Sequence, residues 1–295
     1  SSDLGFLGPN GAGKTSAIMM LLGITEPTAG EIHLFGERYS PRRLDLRRRI
    51  GVVPERHPRG VWTWMTAREY LQYFADLFSV QAAPKRISDL LEQVGLAEAA
   101  NRKVAGFSRG MLQKLSIVRA LLHDPDILFL DEPHSGLDPF GMKQVRDLIV
   151  AENRVGRTIF VSSHLLSEVE RICDRVAIIF QGRLLAEDSM SAILDRFTRS
   201  RELRIEVENP PATLAQDIRS LPFVQEAQLN GKTLVLQVAR DRDYRKDVSA
   251  FLIGRGLVPL ALEEKAASLE EAFVTITREN LSLFANVEAG HAGGE

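Results

Sequence analysis

The sequence predicts an α/β protein with a mostly parallel sheet covered by helices, followed by a small C-terminal α+β domain. Through about residue 199, short strands that are apolar along their whole length alternate with helical patterns, which is typical of a parallel sheet buried on both faces. Near residue 200 the pattern changes: LRIEV at 203–207 alternates apolar and polar residues, which indicates a strand with one solvated face. The chain is therefore expected to hold two domains.

The first half of the larger domain is expected to alternate strands and helices. TARE at 66–69 predicts a helix start at which the side chains of Thr66 and Glu69 each bond the other residue's N–H. Helical patterns then continue to about residue 123. The elements expected before that start are, in order, a strand DLGFL (3–7), a helix over 17–22, a strand GEIHLFGE (30–37) bounded by glycines and a strand RIGVVPE (49–55).

The second half of this domain continues the alternation. Asp138 and Pro139 supply an N-cap and a first-turn proline for a helix that ends near Gly156. The strands expected here are DILFLDE (126–132), TIFVSS (158–163) and RVAIIF (175–180), with a helix between the last two.

Residues 200–280 are expected to form the α+β domain, in the order β-α-β-β-α-β-α. An Asn-Gly pair between FVQEAQL and KTLVLQV predicts a hairpin turn. The tail at 281–295 is expected to be disordered.

Composition excludes several classes of protein. A net charge of −2 argues against a nucleic-acid coat, so no nucleic-acid partner is expected. The single cysteine, Cys173, excludes a disulfide framework or a metal site built from cysteines. No apolar run approaches 18 residues and no signal-peptide pattern opens the chain, so a cytoplasmic location is expected.

A glycine-rich motif between a strand and a helix predicts a phosphate site. Gly8 to Thr15 match G-x-x-x-x-G-K-[ST], in which the backbone N–H groups surround phosphates. Lys14 is expected to reach the β- and γ-phosphates, and the Thr15 hydroxyl to bind Mg²⁺. The residues expected to contact the nucleotide here are Gly8, Pro9, Asn10, Gly11, Ala12, Gly13, Lys14, Thr15 and Ser16.

Two acidic residues end the strand ILFLDE. With a phosphate loop in the same sheet, Asp131 is expected to hold Mg²⁺ and Glu132 to polarise the attacking water. These features alone leave kinases, GTPases, helicases and transporter motors open.

Four further segments narrow this choice. FSRGMLQKL, DILFLDEP, GLDP and SSH, in this order and spacing, resemble the ATP-binding cassette family over about residues 4–200. The first is a variant of the family's signature sequence, retaining Ser108 and Gly110 and placing Arg109 and Met111 at its more variable positions. The resemblance implies that this helix start contacts the γ-phosphate bound by the other subunit of a head-to-tail dimer. A helix N-terminus suits such an anion.

Three other residues take roles from the resemblance. Asp138 resembles the loop that crosses the dimer interface, and His164 resembles the switch histidine that contacts the γ-phosphate. Glu55 stands where most cassettes have a glutamine that senses Mg²⁺ and the membrane partner, so the chain departs from the family pattern there. Some bacterial exporter-type cassettes resemble this chain in having glutamate.

The resemblance also implies partners. The C-terminal domain, which closes with SLEEAF, looks like the accessory domain of the bacterial ABC-2-type export group. The expected protein is an ATP- and Mg²⁺-using subunit of an exporter, peripheral on the inner face of the membrane beneath a separate permease. Two tryptophans, Trp62 and Trp64, follow Glu55 in the sequence. Each could either anchor the interface with the permease or pack in the core of its own chain, and the sequence does not decide between these roles.

Two alternatives to a transport ATPase remain at this stage. One is a soluble cassette ATPase acting on a non-membrane partner, and the other is a module that uses ATP only to dimerise, without turnover.

Cassettes of this family stack the adenine on an aromatic side chain well upstream of the phosphate loop, and only seven residues precede Gly8. Residues 1–199 are therefore expected to be a cassette whose N-terminal strands are missing.

Overall fold

The chain folds as two units. The computed structural model describes residues 3–55, 62–197, 200–265 and 267–291. Contacts divide the chain into Ser1–Met190 and Ser191–Glu295. The division falls earlier than the expected boundary at 199/200, because the helix over 190–197 is held from the second unit: the Arg240 guanidinium donates to the Leu194 carbonyl at 3.0 Å.

The first unit shows the predicted alternation of strands and helices. Its strands are β1 (Leu4–Leu7), β2 (His33–Leu34), β3 (Glu37–Arg38), β4 (Ile50–Val53), β5 (Ile127–Asp131), β6 (Thr158–Ser163), β7 (Arg175–Phe180) and β8 (Arg183–Ser189). Its helices are α1 (Lys14–Leu21), α2 (Leu44–Arg47), α3 (Ala67–Phe78), α4 (Ala83–Gln93), α5 (Arg109–Leu121), α6 (Pro139–Arg154) and α7 (Leu166–Ile172).

The main sheet has the strand order β4-β5-β6-β1-β7-β8. Every neighbouring pair is parallel except β7 and β8, so the predicted parallel sheet is confirmed; the antiparallel edge strand β8 was not expected from the sequence. Because β5, β6 and β1 are adjacent and point the same way, their carboxyl ends lie side by side. The segments that follow Leu7, Asp131 and Ser163 therefore meet at one edge of the sheet.

Aromatic side chains fix these three strands together below that edge. The Phe160 ring on β6 lies 5.3 Å from the Phe6 ring on β1 and 5.3 Å from the Phe129 ring on β5, measured between centroids. Tilted pairs at this spacing contribute about 0.5–1.5 kcal/mol each beyond the area they bury. Phe6 is buried, as the sequence predicted for a residue inside the first strand.

The segment GEIHLFGE differs from its prediction. In place of one strand over 30–37, the structure has a short antiparallel hairpin made of β2 and β3. Phe35 and Gly36 have φ of 57° and 77°, and two consecutive positive values at the centre of a turn reverse the chain. Leu34 is buried in the core around Tyr39 and Leu46, and Phe35 at the turn is partly buried against the same cluster.

The predicted helix start at TARE is confirmed. The Glu69 N–H donates to Thr66 Oγ1 at 3.2 Å, and the Thr66 N–H donates to Glu69 Oε2 at 2.8 Å. Both N–H groups would otherwise lack hydrogen-bond partners at the N-terminus of α3, and losing such a cap lowers the stability of the protein by about 1 kcal/mol. The pair fixes where α3 begins.

The two tryptophans before α3 have different environments. The Trp62 ring packs 4.9 Å from the Tyr73 ring and 5.7 Å from the Phe74 ring, so the core-packing alternative holds for this residue. Trp64 is 65% exposed, which is unusual for so large an apolar side chain. The sequence left both alternatives open for both residues; the structure decides for core packing at Trp62, while interface anchoring by Trp64 stays a prediction.

The second unit has the element order that the sequence predicted. The elements are α8 (Met190–Phe197), β9 (Arg201–Val207), α9 (Leu214–Ile218), β10 (Val224–Asn230), β11 (Thr233–Val238), α10 (Arg245–Gly254), β12 (Pro259–Lys265) and α11 (Leu269–His291). The antiparallel sheet has the strand order β10-β11-β9-β12, with the apolar faces of the strands packed on the helices α9 and α10. This is a split β-α-β arrangement, in which each of these two helices links two strands separated by a third.

The last helix is longer than expected. α11 continues to His291, through most of the segment 281–295 for which the sequence predicted a disordered tail. Leu, Ala and Glu in NLSLFANVEA are good helix formers, and no proline interrupts them. Residues 292–295 of the predicted tail lie outside the described residues.

A fragment of residues 1–190 is expected to fold and to keep nucleotide binding. The core cluster of the second unit uses only residues 203–262, and the phosphate loop, Asp131 and His164 all precede Met190. Circular dichroism melting and ATP titration of the fragment against the full chain would test this. A fragment that melts cooperatively yet binds no ATP would contradict it.

Candidate functional site

The phosphate loop joins the end of β1 to the start of α1. Gly11 and Gly13 have φ of 81° and 102°, values that favour glycine. Gly8 lies so close to β7 that a Cβ atom would be 2.4 Å from the Ile179 carbonyl oxygen. Each glycine of the predicted motif is thus required by the backbone path, and such a path is typical of loops whose N–H groups surround an anion.

Lys14 begins α1 and points back over the loop. Its Nζ donates to the Gly8 carbonyl at 2.7 Å and to the Pro9 carbonyl at 3.2 Å, and it lies 3.7 Å from Glu132 Oε1. Only 6% of Lys14 is exposed. A buried ammonium needs such partners, because an unpaired buried charge is costly. The ammonium is therefore held at the centre of the loop.

Asp131, the last residue of β5, joins the loop to the neighbouring strand. Its Oδ2 accepts a hydrogen bond from Thr15 Oγ1 at 3.1 Å, and its Oδ1 accepts one from Ser162 Oγ. Asp131 and Ser162 face each other in the β5–β6 register, so strand pairing places this contact. Asp131 is 4% exposed, and both oxygens are fixed by neutral hydroxyl donors.

Glu132 adopts an unusual backbone conformation. Its φ is 51°, in the left-handed region that glutamate rarely occupies. Its N–H donates to the Ser162 carbonyl at 3.1 Å, and its Oε2 lies 2.8 Å from His164 Nδ1. Backbone strain of this kind costs about 1–3 kcal/mol and clusters at functional sites. The turn directs the Glu132 carboxylate toward Lys14 and His164.

Most of these groups line one cleft of about 550 Å³ at the carboxyl edge of the sheet. Its size is within the range usual for small-molecule sites. Of the residues predicted from the sequence, six residues of the loop line the cleft together with Glu132, His164 and the exposed Glu55. The predicted residues Gly8, Pro9, Ala12 and Asp131 are not among the described residues that line it. The residues that line it are Asn10, Gly11, Gly13, Lys14, Thr15, Ser16, Glu55, Glu132, Ser135 and His164.

The predicted signature segment stands at the start of another helix. Ser108 caps α5, with its Oγ accepting the Met111 N–H at 3.2 Å. The Arg109 guanidinium donates to Ser135 Oγ at 2.8 Å. Among the described residues that line the cleft, none belongs to 108–111. The signature segment therefore does not line the cleft of its own chain, and it contacts the cleft only through the Arg109–Ser135 bond among the hydrogen bonds of the described residues.

Asp138 has the helix-capping position that the sequence predicted. Its Oδ1 accepts the Gly141 N–H at 2.7 Å, and Pro139 is the first residue of α6. A capping side chain satisfies an N–H group that the helix leaves without a partner. Asp138 is also absent from the described lining of the cleft.

The donor set at the loop suits a hard divalent cation. No cluster of three or more His, Cys, Asp or Glu side chains that would hold a metal by itself occurs within the described residues. Thr15 Oγ1 and Asp131 Oδ2 nevertheless meet at 3.1 Å beside the phosphate loop. Mg²⁺ prefers oxygen ligands and is usually held by one or two protein groups together with water and substrate phosphates. The pair fits that pattern.

Two residues of the site were missed by sequence reasoning. Ser162 donates to Asp131, and Ser135 links the cleft to Arg109. Ser162 belongs to the quoted segment SSH, where only the histidine carries a recognisable signal. Ser135 falls inside DEPHSGLDP, between the predicted site residues Glu132 and Asp138. Serine is too common to indicate a site before the strand order is known.

The fold and the cleft together define a nucleotide-binding protein of the P-loop class. Comparison with known proteins narrows this class. Residues 2–135 match the family model described as ABC transporter. The chain is 37% identical over 277 residues to the bacitracin transport ATP-binding protein BcrA of Bacillus licheniformis, across 92% of this chain and 87% of that protein. The chain therefore belongs to the ATP-binding subunits of ABC transporters.

Two further similarities agree with this family. The Nod factor export ATP-binding protein I of Burkholderia lata is 37% identical over 276 residues, across 92% of this chain and 87% of that protein. The solved structure of cbiO1 from Clostridium perfringens, part of the ABC transporter complex cbiONQ, matches with a TM-score of 0.57 and 25% identity. That match covers 66% of this chain and 80% of the other.

In the part of the chain that the structure describes, no helix has the length and apolar character needed to cross a bilayer.

Proposed function

We propose that the chain hydrolyses ATP to ADP and phosphate in the cleft and so drives a separate membrane permease. The observation that carries this proposal is the placement of Glu132. Its strained turn sets a carboxylate 2.8 Å from His164 Nδ1 and 3.7 Å from Lys14 Nζ, beside the phosphate loop. A carboxylate at that position is suited to polarise the water that attacks a γ-phosphate.

Each side chain of the cleft has a distinct part in this reaction. The loop N–H groups and Lys14 bind the phosphates, and Lys14 stabilises the charge that develops on them. Glu132 orients the water and accepts its proton, while His164 holds the carboxylate and contacts the γ-phosphate. The bond from Ser162 keeps Asp131 fixed toward Thr15.

We propose Thr15, Asp131 and Glu55 as the residues that hold Mg²⁺. When bound, the ion neutralises phosphate charge. The Thr15–Asp131 contact supports the first two residues. Glu55 lines the same cleft and offers an oxygen donor like that of the glutamine it replaces, so it remains a ligand in this proposal.

The signature segment and Asp138 are proposed to act on a second cassette in a head-to-tail dimer. The absence of residues 108–111 from the described lining of the cleft supports this, because a helix N-terminus suited to phosphate then has no place in the cleft of its own chain. The Arg109–Ser135 bond links this segment to the cleft of its own chain. Ser108, Arg109, Gly110 and Met111 would contact the nucleotide of the partner.

The permease is proposed to dock at a second cleft of the first unit, of about 520 Å³. Its walls are apolar, with Phe74, Leu77 and Phe78 from α3, and Arg47 and Arg48 lie at its edge. An amphipathic helix with acidic residues at its border complements such a surface. Membership of cbiO1 in a complex supports a partner of this kind, and docking there would place the chain on the inner face of the membrane.

Transport is proposed to run outward. The export function in the name of the Nod factor relative supports this direction. Trp64, in the loop just before α3, is exposed and adds a large apolar side chain to the surface of the first unit. Large aromatic side chains of this kind are common anchors at protein interfaces.

Phosphate release tests the proposed reaction. The full chain is expected to release phosphate from ATP in the presence of Mg²⁺, and EDTA is expected to abolish release, because Thr15 and Asp131 bind the nucleotide's metal. The measurement is a phosphate assay at several chain concentrations, together with ATP titration. A chain that binds Mg²⁺ and ATP yet releases no phosphate would instead be a binding module that uses ATP only to dimerise.

A further inference from the structure

His134 is a buried histidine to which the proposed reaction assigns no role. It lies in the turn between Glu132 and Asp138 and is 3% exposed. Neither of its ring nitrogens has a hydrogen-bond partner. A buried polar group without a partner is rare in proteins and calls for an explanation.

The nearest charged group is a carboxylate held rigidly from another element. His134 Nε2 lies 3.9 Å from Glu168 Oε2, beyond hydrogen-bond distance. Arg146 Nη1, on α6, donates to both Glu168 oxygens at 3.0 and 2.9 Å. Glu168 belongs to α7, which begins two residues after His164. The carboxylate is thus an anchored acceptor, and a shift of the ring by about 1 Å would bring it within reach.

The turn couples the ring to the cleft. The Ser135 N–H donates to the Glu132 carbonyl at 3.0 Å, and the Leu137 N–H donates to the His134 carbonyl at 3.3 Å. Gly136, between these bonds, has a φ of 74°. A turn that is bonded at both ends moves as one piece, so a displacement of His134 is passed to Glu132 on one side and to Asp138 on the other.

We propose that His134 is a positioning residue, whose Nε2–H donates to Glu168 when nucleotide occupies the cleft and thereby holds Glu132 in its working position. This inference rests on the ATP hydrolysis proposed above. Burial, the largest cause, lowers the pKa of His134, while the charge of Glu168 acts in the opposite direction and that of Arg146 adds to burial. A neutral ring has one N–H, and the proposal places it on Nε2.

Three variants of the full chain separate this role from simple packing. His134→Gln presents an amide donor near the position of Nε2 and is expected to keep kcat within about 3-fold of the parent. His134→Leu fills the volume of the imidazole ring but has no hydrogen-bond donor. His134→Asn has a donor, but its shorter side chain holds that donor too far from Glu168 to reach it. Both are expected to lower kcat about 10- to 100-fold with KM for ATP little changed, since misplacing a reacting group by about 1 Å has effects of this size. His33→Gln, on the exposed β2 hairpin, is the matched control.

The outcomes decide between the alternatives. Wild-type kcat in a folded His134→Leu variant, or a His134→Gln variant as slow as His134→Asn, would overturn the inference. If His134→Leu does not melt cooperatively, the comparison of the glutamine and asparagine variants decides alone. A parent chain without any turnover would contradict the proposed function instead.

A spectroscopic measurement tests the inference without turnover. Nitrogen-15 spectra of histidine-labelled chain with ATP and EDTA, a condition without hydrolysis, report which ring nitrogen carries the proton. The His134 signal is identified by its absence from the His134→Gln variant. Protonation on Nε2 with ATP bound would support the contact with Glu168, and protonation on Nδ1 would overturn it.

Discussion

Glu132→Gln is expected to lower the rate of ATP hydrolysis about 100- to 10 000-fold while leaving ATP binding within a few fold of the parent chain. The amide keeps the size of the side chain and still fits the strained turn, but it does not accept the proton of the attacking water. Its contact with His164 Nδ1 remains possible through the amide oxygen. The measurement is phosphate release under saturating ATP, with binding titrated separately.

The same substitution is expected to reveal association between chains. If hydrolysis separates the two cassettes, a variant that binds ATP without cleaving it accumulates as an ATP-dependent dimer, visible by size-exclusion chromatography. Glu92→Gln, on the exposed face of α4, is the control with the same change of charge. Hydrolysis at the parent rate by Glu132→Gln would show that the catalytic assignment is wrong.

Lys14→Ala is expected to act one step earlier, on nucleotide binding itself. Lys14 is a buried cation at the centre of the phosphate loop. Truncating one partner of a buried, hydrogen-bonded charge pair costs about 2–5 kcal/mol, which corresponds to a roughly 30- to 5000-fold loss of affinity. Isothermal titration with ATP in EDTA measures this loss without interference from turnover.

The control for Lys14→Ala is the same substitution at Lys143, a solvent-exposed lysine of the same unit. Lys143, exposed on α6 and paired with Asp147 at 2.6 Å, loses the same charge when changed to alanine without touching the loop. Lys143→Ala is expected to bind ATP as the parent chain does. Equal affinities for the two variants would place the phosphates somewhere other than at Lys14.

The sequence predicts the parts of the site that are local in the chain. Gly8 to Thr15 are consecutive, so the whole phosphate-loop motif can be recognised from one short segment of the sequence. Asp131 and Glu132 were found because a strongly apolar strand ends in two acids. The α6 cap at Asp138 and the Thr66–Glu69 pair also depend on residues only three positions apart, within reach of pattern reasoning.

What the sequence does not give depends on strand order or on competing local preferences. The Ser162–Asp131 bond requires β5 and β6 to be neighbours, a fact about residues 31 positions apart. No local pattern marks the left-handed conformation at Glu132, since glutamate rarely adopts it. The burial of His134 near Glu168 joins residues 34 positions apart. The β2–β3 hairpin was hidden because an apolar residue, Phe35, occupies a turn position that usually takes asparagine or glycine.

The alignment of β5 with β6 has a consequence for how the chain acquires activity. Ser162 contacts Asp131 by its hydroxyl and Glu132 by its carbonyl, and His164 two residues later reaches the Glu132 carboxylate. Sliding β6 by one residue would turn Ser162 to the opposite face of the sheet and withdraw all of these contacts at once. The proposed metal binding and the proposed water activation therefore depend on the same strand alignment. Chains in which these two strands are misaligned are expected to lack both.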